Sequence, residues 1–358
     1  MTERNSVAKT QIIGLDIGTT AVRAAELTFG SGGPGKSDAT LTGFAQVPLP
    51  MGAIQDGEVV ESGTVASAIR LVWEQGKFAT KDVVMGVGNQ RVIVREAELP
   101  WQPLEGLRKS LPYQAQQLLP TAAGDALLDF VPTGEYTAED GRFVQGLFVA
   151  AIRETVTANV LAAESGGVRP VLVDLNPFAI ARALTRGELG KYTVACVDVG
   201  SRITNVIITE RGLPRFVRVL PHGGQEATDT VAYAMESTAV EAERMKREIG
   251  VGYPVHPERQ HIADALMGTT SNLIEAIRST FSYYQTKGLG APLDVIVLSG
   301  GGSQLNGLGQ YLSSSTRLPV QLGNPLERVK VAKGVDLSSI RGQELTATVA
   351  IGLAYGVA

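Results

Sequence analysis

Gln11-Ile12-Ile13-Gly14-Leu15-Asp16-Ile17-Gly18-Thr19-Thr20 and Thr193-Val194-Ala195-Cys196-Val197-Asp198-Val199-Gly200-Ser201 carry one pattern, half a chain apart. Each is an apolar run that ends in Asp-x-Gly followed by a hydroxyl residue. A second β-like run follows each, at residues 21–28 and 203–209. In the second half Glu210-Arg211-Gly212 then turns into residues 215–219. Strand, tight glycine turn, strand at the start of each half predicts two duplicated α/β domains. The chemistry comes from the turns. Gly18 and Gly200 let backbone amides approach phosphate oxygens with no Cβ in the way. Thr19, Thr20 and Ser201 add hydroxyl donors. Asp16 and Asp198 cannot bind phosphate themselves, but each can hold a hydrated Mg2+ that bridges to it. One such turn alone reads as a polar hairpin; two, with a third motif, read as a nucleotide site.

The third motif is Leu293-Asp294-Val295-Ile296-Val297-Leu298-Ser299-Gly300-Gly301-Gly302-Ser303. A buried strand aims three glycines, and residues 305–312 can continue as a helix. Side-chain-free backbone of this kind offers a flat surface to an adenine ring.

Composition sets the limits. The chain has 358 residues, 44% apolar and 19% charged, as in an ordinary globular protein with room for two or more domains. A net charge of −4 excludes a large basic surface and with it sequence-independent nucleic-acid binding. A single cysteine, Cys196, excludes an internal disulfide, and its place in an apolar strand predicts a buried inert thiol. His222, His256 and His261 lack metal-ligand spacing and are expected in loops or on the surface. Trp73 and Trp101 are expected to pack. Residues 1–11 lack the apolar core of a signal peptide, and residues 345–358 are too short for a membrane span, so the chain is expected in the cytoplasm without an anchor of its own.

Between the motifs, Ser62 is an N-cap candidate for a helix over residues 63–75, and residues 82–87 read as a strand. Residues 91–167 read as strand, helix, strand, strand, helix. Prolines punctuate a short helix at 104–119, and strands at 126–131 and 142–151 flank a turn at 133–141. A helix at 154–163 closes at Gly166-Gly167. Residues 171–173 are a strand, and Pro177 opens a helix to Leu184. Residues 223–234 are helical. Thr238 and Glu241 form a capping box for the next helix, which stops at Gly250. Ile262, Leu266, Leu273, Ile277 and Phe281 mark one face of a long helix ending at Gly288.

Asp16-x-Gly18-Thr19-Thr20, Asp198-x-Gly200-Ser201 and Ser299-Gly300-Gly301-Gly302 resemble the phosphate-1, phosphate-2 and adenosine motifs of the actin-like ATPases. Residues 50–60, 242–250 and 300–308, with the ending Val349-Ala350-Ile351-Gly352-Leu353-Ala354, resemble the PilM family of type IV pilus assembly proteins within that group. The likeness spans nearly the whole chain and is weakest over residues 30–38. It implies an actin-like ATPase fold: duplicated ribonuclease H-like domains with a 1C-type inserted subdomain. The first domain (1A) would hold residues 1–90 and 168–190, and the insertion 91–167. The second domain (2A) would hold 191–222 and 290–358, and a helical subdomain (2B) 223–289. It implies ATP and Mg2+ in a cleft between the halves. Contacts would come from Asp16, Gly18, Thr19, Thr20 and Arg23, and from Asp198, Gly200 and Ser201. Others would come from Glu243 and Lys246, and from Gly300, Gly301, Gly302 and Gln304. Asp16 and Asp198 would serve the metal.

Read without the resemblance, Glu243 and Lys246 are three apart on one helix face and read as a solvated charge pair; the resemblance gives a ligand contact equal weight. The resemblance further implies a cytoplasmic scaffold that self-associates into a ring or filament. It would meet the inner membrane only through the short cytoplasmic N-terminal tail of PilN. That tail would dock on the insertion around Tyr113, Gln117 and Leu118. No catalytic residue stands out. Asn176 takes a position often acidic in FtsA, and Asp174 is the carboxylate nearest the joint between the halves, so at most slow ATP hydrolysis is expected. Three other readings stay open. One is an FtsA-like division protein, although the FtsA C-terminal amphipathic helix is not seen before Ala358. A second is a sugar-kinase-type phosphotransferase. The third is a P-loop NTPase using Gly30-Ser31-Gly32-Gly33-Pro34-Gly35-Lys36-Ser37, with Asp198 as its second acid. A P-loop must run straight into a helix, whereas residues 38–48 read as a strand, so residues 30–38 are expected to be a flexible link.

Overall fold

The computed structural model describes residues 10–35, 37–55, 57–118, 125–338 and 340–356, with residues 117 and 118 described by their backbone alone. The chain begins with strands β1 (Thr10–Ile17), β2 (Ala21–Phe29) and β3 (Ala39–Pro48), then a short ladder of β4 (Ile54–Gln55) and β5 (Glu58–Val59). Helix α1 (Ser62–Gly76) and β6 (Asp82–Val87) follow, then β7 (Ile93–Pro100), α2 (Leu104–Leu118), β8 (Ala126–Ala138), β9 (Gly141–Ile152) and α3 (Arg153–Ser165). Next come β10 (Arg169–Leu175), α4 (Asn176–Leu184), β11 (Thr193–Val199), β12 (Thr204–Glu210) and β13 (Leu213–Leu220). The helices α5 (Gly224–Met235), α6 (Ala239–Ile249) and α7 (Gln260–Thr286) precede β14 (Val295–Ser299). The chain closes with α8 (Leu308–Thr316), β15 (Val320–Leu322), β16 (Val329–Val331) and α9 (Thr348–Ala354).

The chain divides into two units. The first holds residues 1–88, 158–187 and 323–358; the second holds 89–157 and 188–322. In the first unit the sheet order is β10-β6-β1-β2-β3-β16, with β1, β2 and β3 an antiparallel meander and β6 and β10 parallel to β1. In the second unit the order is β13-β12-β11-β14-β15, again an antiparallel meander with parallel strands on the far side of its first strand. The five-strand core is therefore one topology used twice, as the repeated motif predicts.

The two sheets are covered differently. Over β1 lies α9, so near that a Cβ on Gly14 would come within 2.1 Å of the Ala350 carbonyl oxygen. Gly352 likewise lets α9 meet α4: a Cβ there would sit 1.9 Å from the Ala179 carbonyl oxygen. Over the second sheet, large side chains fill the space. Leu273, Ile277, Phe281 and Tyr284 of α7 bury against Val197, Val206, Ile208 and Phe216. Every residue of β11 is buried, which is why Val194 to Val197 run apolar without alternation, with the polar Thr193 and Asp198 buried toward the two ends.

Several local expectations need correction. Residues 323–358, assigned above to the second domain, belong with the first sheet: β16 pairs with β3 and α9 packs on β1. The segment after Phe29 leads straight into β3, with Phe29 opposite Ala39. Among the described residues no helix N-terminus stands where a P-loop needs one, since residues 39–48 are strand β3, so the P-loop reading fails; its Lys36 lies outside the described residues. Strand β8 runs well past its expected end to a two-residue turn at Glu139-Asp140, from which β9 starts close to its expected place. A bulge between Pro132 and Gly134 absorbs the irregular residues that read as a long turn. Helix α2, by contrast, spans its expected stretch and continues through Pro112. Ser62 is the first residue of α1, not its cap. Trp73 is buried, but Trp101 is half-exposed, with Arg142 stacked 4.4 Å from its ring centre.

Candidate functional site

In the first unit, the turn between β1 and β2 closes by a hydrogen bond from the Gly18 amide to the Ala21 carbonyl, 3.1 Å. The register sets Asp16 opposite Arg23, so both side chains emerge on one face. Arg23 Nη1 lies 3.5 Å from Asp16 Oδ2, and its Nε donates to Gln46 Oε1 at 3.3 Å. Asp16 is buried. Burial raises its pKa above the ordinary aspartate value, and the Arg23 charge and hydrogen bond pull it down without cancelling the rise. Because the Gly18 amide is spent on the turn, the donors this turn offers are those of Thr19, half-buried, and Thr20, exposed.

The second unit gathers more of the expected residues. Gly200 closes its turn by donating to the Ile203 carbonyl at 2.9 Å. The first amides of α5 then hold the turn from the other side: Gly224 donates to the Gly200 carbonyl at 2.9 Å and Gln225 to the Ser201 carbonyl at 2.8 Å. Lys246 of α6 is buried, and its ammonium meets three acceptors, one for each proton. These are the Gly224 carbonyl at 3.0 Å, Thr228 Oγ1 at 2.8 Å and Glu243 Oε2 at 2.6 Å. Glu243 also accepts from Thr228 Oγ1 at 2.6 Å and from Arg247 Nε at 2.8 Å. Partial burial pushes the Glu243 pKa up, but the hydrogen bonds from Lys246, Thr228 and Arg247 outweigh it and hold the carboxyl below its ordinary range. This pair is therefore no solvated surface bridge. The capping box of Thr238 and Glu241 is formed and fixes the start of α6.

The glycine triplet lies directly on the second turn. Gly300 has φ +81°, and a Cβ on it would be 2.4 Å from the Val199 carbonyl oxygen; one on Gly302 would meet Val199 Cγ1 at 2.5 Å. Ser299 Oγ donates to Asp198 Oδ1 at 2.7 Å. Asp198 faces Asn205 across the ladder, and Asn205 Oδ1 is buried without a hydrogen-bond partner. Gln304 ends the short 3-10 turn Gly301–Gln304. Sequence reasoning passed over Gly223, Gly224, Thr228 and Asn205. A Gly-Gly pair opening a helix, with a threonine one turn in, is the signal that could have found the first three. Asn205 is visible only once the ladder register is known.

Elsewhere the chemistry is quiet. Asp174 is hydrogen-bonded to Arg182 and accepts from the Leu175 amide at 2.8 Å, so it is engaged in structure and not poised beside a substrate. Asn176 Oδ1 is buried without a partner, close against Gly86 and Gly88. Cys196 is buried, and its thiol is pushed up to about 12, first by burial and then by the charge of Asp198. Among the described residues no group of three or more His, Cys, Asp or Glu is placed to hold a metal, and no helix is long and apolar enough to cross a membrane.

A family model described as "Type IV pilus assembly protein PilM" matches residues 14–356. The chain belongs to the PilM family. It is similar to the solved structure of a PilM-PilN type IV pilus biogenesis complex, with 27% identity, a TM-score of 0.81, and coverage of 96% of this chain and 97% of that one. The cell division protein FtsA of Bacillus subtilis is 22% identical over 270 residues, which are 67% of this chain and 58% of FtsA. The chain thus spans little more than half the length of that relative. MreB5 of Spiroplasma citri, solved bound to ADP, shares the fold at 12% identity and a TM-score of 0.52, over 96% of this chain and 94% of that one. The fold is that of the actin-like ATPases.

Proposed function

We propose that this chain is an ATP-binding scaffold of the type IV pilus assembly machine that docks the N-terminal cytoplasmic tail of PilN. The observation that carries the nucleotide reading is the doubled Asp-x-Gly turn, each copy with a buried carboxylate at the end of a rigid strand. The donor set fits Mg2+, which keeps several waters and takes one or two carboxylates plus phosphate oxygens in preference to a closed protein cage. Asp16 and Asp198 would each offer it a carboxylate oxygen. Bound Mg2+ would screen the phosphate charge. Thr19, Thr20 and Ser201 donate to phosphate oxygens, and the bare backbone of Gly300 to Gly302 leaves room for the base. Lys246 and Glu243 act through Gly224: they fix the start of α5, and α5 fixes the second turn.

Turnover is slow in this reading, because the Asp174 carboxylate is occupied by Arg182 and Asn176 is neutral. The protein works through what it holds together. Membrane contact would come through the partner, and copies of the chain would assemble into a ring or filament. The tail is placed on the three-stranded sheet β7-β9-β8 and α2, which carry none of the nucleotide motifs and have a core of their own. Tyr113 on α2 is 65% exposed and so offers a ring to a peptide; the side chains of Gln117 and Leu118, also expected there, lie outside the described residues. A fluorescence titration of a labelled tail peptide against the full chain tests this. Binding is expected, and Tyr113→Ala should weaken it about tenfold. No binding with or without ATP would remove the scaffold reading.

A further inference from the structure

We propose that a pocket in the first unit, at the end of the sheet away from the Asp16 turn, binds a phosphate dianion carried on a small molecule or a lipid headgroup. The register places it. Asp16 pairs with Arg23 at one end of the β1–β2 ladder, whereas Thr10 pairs with Phe29 at the other, where Phe29 also meets Ala39. A cavity of about 310 Å³ opens there, lined by Ser37, Asp38, Arg186, Gly187, Arg328 and Tyr355.

Its charges do not balance. Asp38 accepts from Lys330 at 2.8 Å, so its carboxylate is already engaged. Arg186 donates from Nε to the Arg182 carbonyl at 3.0 Å, and its guanidinium lies 3.7 Å over the centre of the buried Tyr355 ring. That stack fixes the guanidinium from one face and leaves its terminal amino groups without a carboxylate among the described residues. Arg328 makes no ion pair or hydrogen bond among the described residues and attracts Asp38 only at longer range, after Lys330. Partial burial lowers the Arg186 pKa, as expected of a cation short of a counter-charge. Ser37 Oγ accepts from the Gly32 amide at 3.1 Å, and its own proton remains to donate.

Two guanidinium groups and one hydroxyl in a concave site match a phosphate monoester. Its two negative charges meet both arginines, and its oxygens suit their paired donors. A single carboxylate would leave one guanidinium unmatched. The glycine-rich segment that mimics a P-loop supplies one wall, through Ser37.

The test uses the full chain and three probes in calorimetry or sedimentation: inorganic phosphate, glycerol 3-phosphate, and phosphatidylcholine vesicles containing phosphatidic acid. Arg328→Ala removes an exposed side chain, and Arg186→Gln keeps a planar group over Tyr355. Each should weaken binding of the active probe about tenfold or more while ATP binding stays unchanged. Binding of the soluble phosphates supports the site with a small-molecule ligand. Binding of the vesicles alone supports it with a lipid one. If none of the three binds, or both variants bind like the wild type, the proposal is wrong.

Discussion

Asp16 and Asp198 stand at the same place in two copies of one strand order, and their cross-strand neighbours differ. Asp16 faces the cation Arg23; Asp198 faces the neutral Asn205 and accepts from Ser299 Oγ. The units also stiffen the two turns differently. In the second unit, α5, Lys246 and the glycine triplet all press on the Gly200 turn, whereas the Gly18 turn is held by its own closing bond, by the Leu49 amide donating to the Thr20 carbonyl at 2.9 Å, and by Arg23. A duplicated fold has thus kept the geometry of the acid and divided the tasks around it: charge compensation in one copy, mechanical support in the other.

The difference in how the sheets are covered gives the largest expected effect. Gly352→Ala forces a Cβ against the Ala179 backbone and should cost about 3 kcal/mol. Ile277→Val in the second unit trims a buried side chain and should cost about 1 kcal/mol. Urea denaturation of the two variants measures this; equal costs would mean that the helix-backbone contact in the first unit is not as tight as described.

Support of the second turn comes next. Lys246→Met should cost about 2 kcal/mol, less than the ~3–5 kcal/mol of breaking a fully buried pair, because Glu243 is 35% exposed and keeps Arg247. The pH dependence has a definite sign. Glu243 has a folded pKa below the ordinary glutamate value of 4.5, so its contribution is present above that pH and is lost as pH falls through the folded pKa. The variant should show a shallower acid loss of stability. Asp16 has the opposite sign: its folded pKa is above 3.8, so stability falls as pH rises through that window. An unchanged acid limb in Lys246→Met would break the contrast between the two carboxylates.

The smallest effect is chemical. Cys196 next to Asp198 should not react with a thiol reagent in the native protein at pH 8 and should react fully in denaturant. Prompt native labelling would mean that β11 is not the closed core of its sheet.

Much of this was legible in the residues. The repeated Asp-x-Gly turn announced two copies of one sheet, and the apolar stripe from Ile262 to Phe281 announced α7. What escaped depends on contacts between distant residues. Nothing local tells that α9, at the far end of the chain, covers β1 and meets α4; a bare Gly14 makes the first approach possible and a bare Gly352 the second. A charge pair three residues apart looks solvated until Gly224 and Thr228 arrive from another helix to bury it. Strand ends at Pro132 and Gly134 were misread because a bulge lets a sheet carry residues that usually stop one.

Mg2+-dependent ATP binding is the most direct test of the doubled turn as the proposed nucleotide-binding feature. Thermal unfolding of the full chain should shift upward with ATP and Mg2+, since a ligand that binds only the native state stabilises it. Asp16→Asn and Asp198→Asn should each abolish the Mg2+-dependent part of that shift, and Lys36→Ala should keep it whole. A wild type that ignores ATP, or two aspartate variants that respond as the wild type does, would contradict the account.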